Sequence, residues 1–180
     1  DRFPKRAPAM LDTTLKSAQD DAFIDRSYHV FVNGAAEEIC AFSEEIGVPV
    51  AGDAYIEAMD ALLAKAEEYR AKGLVQTGPF SQRFVRKSTG TLAPQQEDTC
   101  MFDIIFLKGS KSALELAKVY EELLVPLRGR PHFGKLNSLT PARTALLYGE
   151  KLATFNRIRK LLDPHGVMQN RGTDRMIGAP

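Results

Sequence analysis

The stretch DTCMFDIIFLKGSKSALELAKVYEELLVPL, residues 98–127, decides the fold class because it contains one element of each kind. Its first part is an apolar run interrupted by Asp103, which predicts a sheet strand. Its second part repeats apolar side chains on successive turns behind a capping serine, Ser110 or Ser112, which predicts an amphipathic helix. Pro126 helps to end that helix. The predicted apolar face of the helix is Leu114, Ala117, Tyr120/Glu121 and Leu124.

The segments before this stretch extend the same pattern. The run PFSQRFVRKSTG, residues 79–90, alternates between two faces and predicts a strand that neighbours the first one. Residues 53–72 repeat at helical spacing and are followed by Gly73, which predicts a capped amphipathic helix. The face of that helix is predicted to be Ile56, Met59, Leu63, Ala66 and Arg70. Residues 36–50, AEEICAFSEEIGVPV, have helix-favouring and strand-favouring residues, and we favour a strand.

The N-terminal part of the chain carries two further elements. Residues 12–23 place Leu15, Ala18 and Ala22 on one face and predict a short helix. The run SYHVFVN, residues 27–33, is rich in aromatic and β-branched residues and predicts a strand that ends at an Asn-Gly turn. The predicted helices and strands do not form repeated strand-helix-strand units. The order therefore predicts an α+β fold, with an antiparallel sheet flanked by helices.

The C-terminal part is predicted to be helical at first. Thr140-Pro141 begins one short helix, and Asp163-Pro164 ends another. The face of the second helix is predicted to be Leu152, Phe155, Ile158 and Leu162. The final residues, 167–180, have few apolar side chains and no period, so we expect them to be ordered only by docking on another surface.

Composition excludes several classes of function. The formal net charge is +1, which disfavours bulk nucleic-acid binding. Cys40 and Cys100 lack the spacing of a zinc site, so we expect no metal. Their spacing does not decide whether they form a disulfide, and we interpret both as buried thiols. No apolar run reaches the length of a membrane span, and no signal-peptide core is present. The chain is expected to be soluble, and cytoplasmic rather than secreted.

The loop LRGRPHFGKLNSL, residues 127–139, has the composition of a binding site. Glycine allows the backbone to turn sharply or to approach a ligand closely, and an Arg-Pro step favours extended backbone. Arginine, histidine and lysine supply donors or positive charge for an anionic group. Packing alone does not require this mixture of residues.

Two motifs then resemble a known family. RPHFGK, residues 130–135, and the segment from Tyr148 to Asn170 with its DPHGVMQN ending resemble the C-terminal part of the FAD-linked oxidases of the vanillyl-alcohol oxidase superfamily. The sugar-lactone and alditol oxidase branch has an Arg-Pro-His-aromatic-Gly-Lys motif before such a helix. EEIGVPV, RFVRKSTGTLAP and EDTCMFDIIF also fall where that branch has strands, so the likeness covers most of the chain.

The resemblance implies that this chain is only part of an enzyme. Such oxidases bind FAD in a separate N-terminal domain, and nothing here resembles a dinucleotide-binding glycine loop. Residues 1–162 would be the substrate-binding (cap) domain, and 163–180 a tail that docks on the FAD domain of another chain. The expected partner is an FAD-binding chain, or the N-terminal fragment of the same precursor. The start at Asp1 rather than Met agrees with an excised or processed product.

The resemblance also assigns roles to residues of the loop. Lys135 matches the motif lysine and would be the cation that faces the flavin, where a fixed positive charge favours the reduced form. The alternative is a solvated surface lysine. His132 would shape the loop and assist removal of the alcohol proton, or would simply be a packed, hydrogen-bonded histidine. Asn170 matches an asparagine near the flavin domain, with a purely local role as the alternative.

The strands would supply the substrate-binding residues. Arg83 matches an arginine that points into the substrate cavity, with an exposed strand arginine as the alternative. Ser81 stands where the branch has an acidic residue, and Asp103 and Ile105 stand where a histidine and a threonine would suit polyol recognition. Asp103 either replaces the missing carboxylate as hydroxyl acceptor or base, or forms a structural ion pair with Arg83.

These residues lead to two functional hypotheses. The first is the substrate-binding part of a two-chain or cleaved FAD-dependent oxidoreductase that oxidises an alcohol. The substrate would be a polyol, a sugar lactone or, since the acidic residue is missing, a less polar alcohol. The alternative is a non-enzymatic α+β module whose RGRPHFGK loop binds an anion or a partner protein.

Overall fold

The structure is a computed structural model, and it describes residues 4–19, 41–110 and 112–178. The predicted strand at 27–33, with its Asn-Gly turn, lies outside the described residues, and so does Cys40. The last part of the predicted N-terminal helix, residues 20–23, also lies outside them.

The secondary structure agrees with most of the sequence-based predictions. The strands are β1 (Ala41–Pro49), β2 (Phe80–Val85), β3 (Thr99–Leu107) and β4 (Arg130–Pro131). The helices within the described ranges are α1 (Ala7–Gln19), α2 (Ala54–Ala71), α3 (Ala113–Leu124), α4 (Pro141–Tyr148), α5 (Glu150–Leu162) and α6 (Arg171–Ile177). The preference for a strand within residues 36–50 is confirmed from Ala41 onward. The N-terminal helix begins at Ala7 rather than at Asp12.

The strands form a four-stranded antiparallel sheet in the order β2-β3-β1-β4. β3 is central, and it pairs along its whole length with β1 and over six positions with β2. β4 adds only Arg130 and Pro131, which pair with Gly47 and Ile46. The predicted α+β class with an antiparallel sheet is therefore confirmed.

The main core lies between one face of the sheet and two helices. Even-numbered residues of β1 and β3 point to this face because side chains alternate along a strand. The buried members are Ile46, Val48, Cys100, Phe102, Ile104 and Phe106 from the sheet, Ala58 and Leu62 from α2, and Ala113, Leu116, Ala117, Tyr120 and Leu124 from α3. The buried thiol predicted for Cys100 is confirmed, and burial raises its pKa to about 11.

Four predicted face residues are exposed: Leu114 of α3, and Ile56, Leu63 and Arg70 of α2. Leu114 is 65% exposed, and Ile56 and Leu63 of α2 are about half exposed. Both helices carry apolar side chains around more of their circumference than the sheet covers, so spacing alone does not determine which edge of the stripe packs. The small residues Ala58 and Ala113 are buried in the core at these contacts.

The C-terminal helices form a second, smaller cluster. Thr140 caps α4 as predicted, with its hydroxyl accepting a hydrogen bond from the Arg143 amide at 3.3 Å. Tyr148, Leu152 and Ile177 are buried together in this cluster. The predicted face of α5 is correct only at its start: Phe155 is half-buried, but Ile158 is 45% exposed and Leu162 is 81% exposed.

The final segment contains a helix that its composition did not predict. Asn170 caps α6 with a capping box in which Thr173 reciprocates. The helix packs on α4, where the Thr144 hydroxyl donates to the Met176 carbonyl at 2.6 Å. Arg175 donates to the Leu139 carbonyl at 2.7 Å. Burial of Ile177 and these hydrogen bonds order the segment on its own chain.

Among the described residues, the structure has no helix that is both long and apolar enough to cross a membrane.

Candidate active site

The candidate site lies on the face of the sheet that α2 and α3 do not cover. Strand register places Ser81 of β2 opposite Asp103 of β3, and Asp103 opposite Glu45 of β1. In the next row, Arg83 lies opposite Met101. These odd-numbered residues point away from the core because the even-numbered positions fill it. The sheet itself therefore brings together three of the residues that the sequence singled out.

The loop after α3 brings Lys135 to the same face. The His132 amide donates to the Glu45 carbonyl at 2.8 Å, and the Leu136 amide donates to the Ser43 carbonyl at 3.0 Å. The loop can begin there only because residue 129 is glycine: an added Cβ would lie 2.7 Å from the Leu124 carbonyl oxygen. This close contact is with the chain's own helix, and the close approach to a ligand that the glycines of this loop would allow stays a prediction.

Four charged side chains form an ion network on this face. The Lys135 ammonium lies 2.9 Å from Asp103 Oδ1 and 3.5 Å from Glu45 Oε2. The Arg83 guanidinium donates a hydrogen bond to Glu45 Oε1. Glu45 is only 1% exposed, whereas Lys135 and Asp103 are each 27% exposed and Arg83 is 62% exposed. A buried carboxylate therefore holds two cations whose outer parts reach solvent.

Of the two alternatives for Asp103, the structural ion pair with Arg83 is wrong. Asp103 pairs with Lys135, and Arg83 pairs with Glu45. The strand register explains these pairings. Arg83 lies opposite Met101 rather than opposite Asp103, and its long side chain extends across β3 to Glu45 on β1. The ammonium of Lys135 enters from the loop and binds the nearer, shorter carboxylate.

Glu45 is the site residue that the sequence did not single out. It follows another glutamate in a strand that ends Val-Pro-Val, where either acid would be expected on a solvated face. The alternation of side chains along β1 could have identified Glu45 as a site residue. Ile46 and Val48 must face the core, so Glu45 must share the opposite face with residues of the neighbouring strand.

Ser81 keeps the position that the resemblance gave it. It is exposed and lies directly opposite Asp103, with its hydroxyl 3.5 Å from the Asp103 carbonyl oxygen. The missing carboxylate at position 81 therefore has an aspartate beside it on the next strand. The role of Asp103 as the replacement acceptor stays a prediction.

His132 is held by its own loop. Its Nδ1 accepts a hydrogen bond from the Gly134 amide at 3.1 Å, and its carbonyl oxygen accepts one from the Lys135 amide at 3.2 Å. A neutral imidazole whose Nδ1 accepts carries its proton on Nε2. That tautomer donates rather than accepts at its free nitrogen, which supports the loop-shaping role. Removal of an alcohol proton by His132 stays a prediction.

Asn170 is engaged at the start of α6. Its side-chain oxygen accepts hydrogen bonds from the amides of Gly172 and Thr173, at 2.9 and 3.0 Å. Asn170 is exposed. The local capping role is thus observed, and a contact between Asn170 and a cofactor stays a prediction.

A second acidic cluster lies behind the site, on the helix side of the sheet. Glu44 and Glu121 are each about 99% buried, and Arg143 lies 3.1 Å from Glu121 Oε1. Glu121 also accepts a hydrogen bond from the Ser138 amide at 2.6 Å. Burial away from water, and then repulsion by the Glu121 charge, raises the pKa of Glu44 to about 10, so its carboxyl is neutral at pH 7.

The other cations of the loop are paired with a carboxylate. Arg128 and Arg130 lie 3.2 and 3.5 Å from the two oxygens of Glu97. Tyr148 packs against Phe133 with ring centroids 5.8 Å apart, and burial raises its pKa to about 12. Tyr148 therefore has a packing role. His165 is exposed.

Lys135 is the described residue of this face that could lie against the edge of a flavin. Its ammonium has three donors, and the two carboxylates lie 2.9 and 3.5 Å away. One donor can therefore remain for a third acceptor while the other two face Asp103 and Glu45. A contact between Lys135 and a cofactor stays a prediction.

Comparison with known proteins gives one family. A family model described as D-arabinono-1,4-lactone oxidase matches residues 1–176. No curated protein sequence matches the chain significantly. The family match covers nearly the whole chain, including the sheet, the loop and α6, and it agrees with the sugar-lactone oxidase resemblance of the RPHFGK segment. The chain therefore belongs to the D-arabinono-1,4-lactone oxidase family.

Proposed function

We propose that this chain is the substrate-binding part of an FAD-dependent oxidoreductase that oxidises an alcohol. The observation that carries the proposal is Lys135, a partly exposed ammonium that two carboxylates hold beside an exposed arginine on an open sheet face. Residues 1–162 would form the substrate-binding domain. An FAD-binding chain, or an N-terminal fragment of the same precursor, would supply the cofactor.

The positions of the residues support the following roles. FAD, when bound, supplies an acceptor for hydride at its N5 atom and becomes more negative as it is reduced. Lys135 would hold a fixed positive charge against the edge of the ring where that negative charge develops. Its carboxylate partners keep the ammonium in place before the substrate arrives, so little reorganisation is needed.

Arg83, Asp103 and Ser81 would bind the substrate. Arg83 has one donor engaged by Glu45 and is 62% exposed, so its other N–H groups are free to bind a hydroxyl or carbonyl oxygen. Asp103 would accept a hydrogen bond from a hydroxyl, or accept its proton. The site has as many carboxylates as cations. This balance favours a neutral polyol, lactone or less polar alcohol over a carboxylate substrate.

The C-terminal segment would complete the contact with the FAD-binding partner. Exposed apolar side chains cluster where α5 ends and the segment from 163 to 180 begins. They are Leu161, Leu162, Val167 and Met168, which are between 75% and 81% exposed. An apolar group of this kind is typical of a surface that binds another protein surface. We propose that it packs on the FAD domain.

The anion-binding module is less well supported. Arg128 and Arg130 are paired with Glu97, and Lys135 is paired with Asp103 and Glu45. An anion would have to displace these carboxylates, which reduces the gain from binding it. A loop built to bind free anions would present unpaired cations.

Mass spectrometry and a visible spectrum of the native protein test the proposal. A copurifying chain with flavin bands near ~370 and ~450 nm is expected. A colourless protein without a second chain or attached fragment would contradict the proposal. Alcohols and sugar lactones would then be screened for bleaching of the 450 nm band under anaerobic conditions, which reports flavin reduction without reference to the acceptor.

A further inference from the structure

We infer that Glu45 is a positioning residue that joins the flavin-facing cation and the substrate-binding cation into one unit; this inference rests on the proposed function. Its two carboxylate oxygens divide between the two cations. Oε1 accepts from Arg83, and Oε2 faces Lys135 at 3.5 Å. The same residue, through its backbone carbonyl, also accepts the hydrogen bond from His132 that fixes the loop.

Because Glu45 is buried, its carboxylate has a fixed position. Glu45 is 1% exposed and lies in β1, paired on both sides by neighbouring strands. Lysine and arginine side chains have many rotamers, and ordering each of them loses conformational entropy. A rigid, buried anion between them restricts both, and its charge is weakly screened because little water surrounds it.

Asp103 does not provide the same link. It contacts Lys135 but not Arg83 within the described structure, and it is 27% exposed. Without Glu45, Lys135 would keep one partner, and Arg83 would have none among the described residues. Both cations would then sample more positions. Substrate binding would become weaker, and flavin reduction would become slower.

Kinetic constants distinguish a residue that positions both cations from a residue that acts only in substrate binding or only in flavin reduction. In the native protein with its FAD-binding partner, Lys135→Met should mainly slow flavin reduction, and Arg83→Ala should mainly raise KM. Glu45→Gln should do both, each by about 10- to 100-fold, because a misplacement of about 1 Å has effects of this size. Glu45→Asp keeps the charge on a shorter side chain and should recover part of the loss.

Glu44→Gln is the matched control. Glu44 is the same residue type, neighbours Glu45 in the same strand and is equally buried, but it faces the helices. Its replacement should leave KM and the rate of flavin reduction unchanged. An equal loss in this variant would show that Glu45 acts only through strand stability, and would overturn the inference.

A structural readout makes the test independent of turnover. The ammonium proton signal of Lys135 in a ¹H–¹⁵N spectrum, and the positions of Lys135 and Arg83 in a crystal structure, should both show loss of order in Glu45→Gln. If both side chains keep their positions, or if only one kinetic constant changes, Glu45 does not have this role. If Glu45→Gln and Glu45→Asp both fail to fold, its role is structural and the inference is wrong. Absence of flavin from the unmodified protein would instead refute the proposed function, while the structural readout would still decide the role of Glu45.

Discussion

Replacing the buried Glu44 by glutamine is expected to stabilise the protein, and increasingly so as the pH rises. The pKa of Glu44 is raised to about 10, whereas in the unfolded chain the carboxyl has its ordinary value near 4.5. The folded state therefore binds a proton that the unfolded state releases above pH 4.5. The stability that the neutral carboxyl gives is complete below pH 4.5 and is lost progressively as the pH rises towards 10.

The magnitude follows from the distance between the working pH and the ordinary pKa. Each pH unit above 4.5 costs the folded protein about 1.4 kcal/mol, so at pH 7 the free energy of unfolding is lower by about 3 kcal/mol. Glutamine has the same shape, is neutral in both states and donates to Glu121 as the protonated acid does. Glu44→Gln should recover most of this loss at pH 7 and little of it at pH 4.5.

Urea unfolding of the purified protein at pH 5, 6, 7 and 8, followed by circular dichroism, measures the effect. The difference in unfolding free energy between Glu44→Gln and the unmodified protein should grow with pH. Glu121→Gln in the same cluster is the contrasting variant, and it should destabilise because Arg143 and the Ser138 amide would lose a charged acceptor. A Glu44→Gln variant that is less stable at pH 7, or a difference that does not change with pH, would show that Glu44 is ionised and would refute the reasoning.

Three further outcomes are expected. Lys135→Met should slow flavin reduction by about 10²- to 10³-fold with the fold retained, because a fixed charge beside the developing anion is lost; unchanged rapid-reaction kinetics would contradict its role. Arg83→Ala should raise KM by about 10- to 100-fold with little effect on FAD retention, since a charged hydrogen bond to the substrate is removed; global unfolding would show that Arg83 is structural. Gly129→Ala should lower the free energy of unfolding by about 1–3 kcal/mol, because the new methyl group would lie 2.7 Å from the Leu124 carbonyl oxygen. Equal stability in urea would show that the loop can move away at no cost.

The sheet and its helices could be predicted from sequence because their patterns are long. β3 has nine residues and α2 has eighteen, so periodicity has several repeats over which to appear. β4 has only two residues, and no periodicity exists in so short a strand. The loop was recognised from its residue types and its resemblance, not from its backbone.

The ion network shows what sequence reasoning could not reach. Lys135, Arg83 and Asp103 were each selected, but the pairing between them depends on which strands are neighbours. β1 and β3 are separated by about fifty residues of chain, so their register is a property of the fold. Without that register, Glu45 could not be assigned to the site, and the cation that pairs with Asp103 could not be identified.

The order of α6 was missed for a different reason. Its apolar content is small, and the expectation that it is ordered only by docking on another surface followed from composition. The capping box of Asn170 and Thr173, and the hydrogen bonds of Arg175 and Thr144, supply the order through polar contacts. Composition does not report such contacts, because the capping box depends on the order of nearby residues, and the hydrogen bonds of Arg175 and Thr144 depend on partners that are distant in the chain.

The two neighbouring glutamates of β1 limit which insertions and deletions this strand can tolerate. Glu44 and Glu45 resemble a repeated acid, yet one is neutral against the helices and the other is charged against two cations. A deletion or insertion of one residue just before them would exchange their faces, placing a charge in the apolar layer and shifting Ile46 towards the site. Substitutions in β1 can therefore be tested one position at a time, but homologues and engineered variants should keep the number of residues between position 41 and Pro49 unchanged.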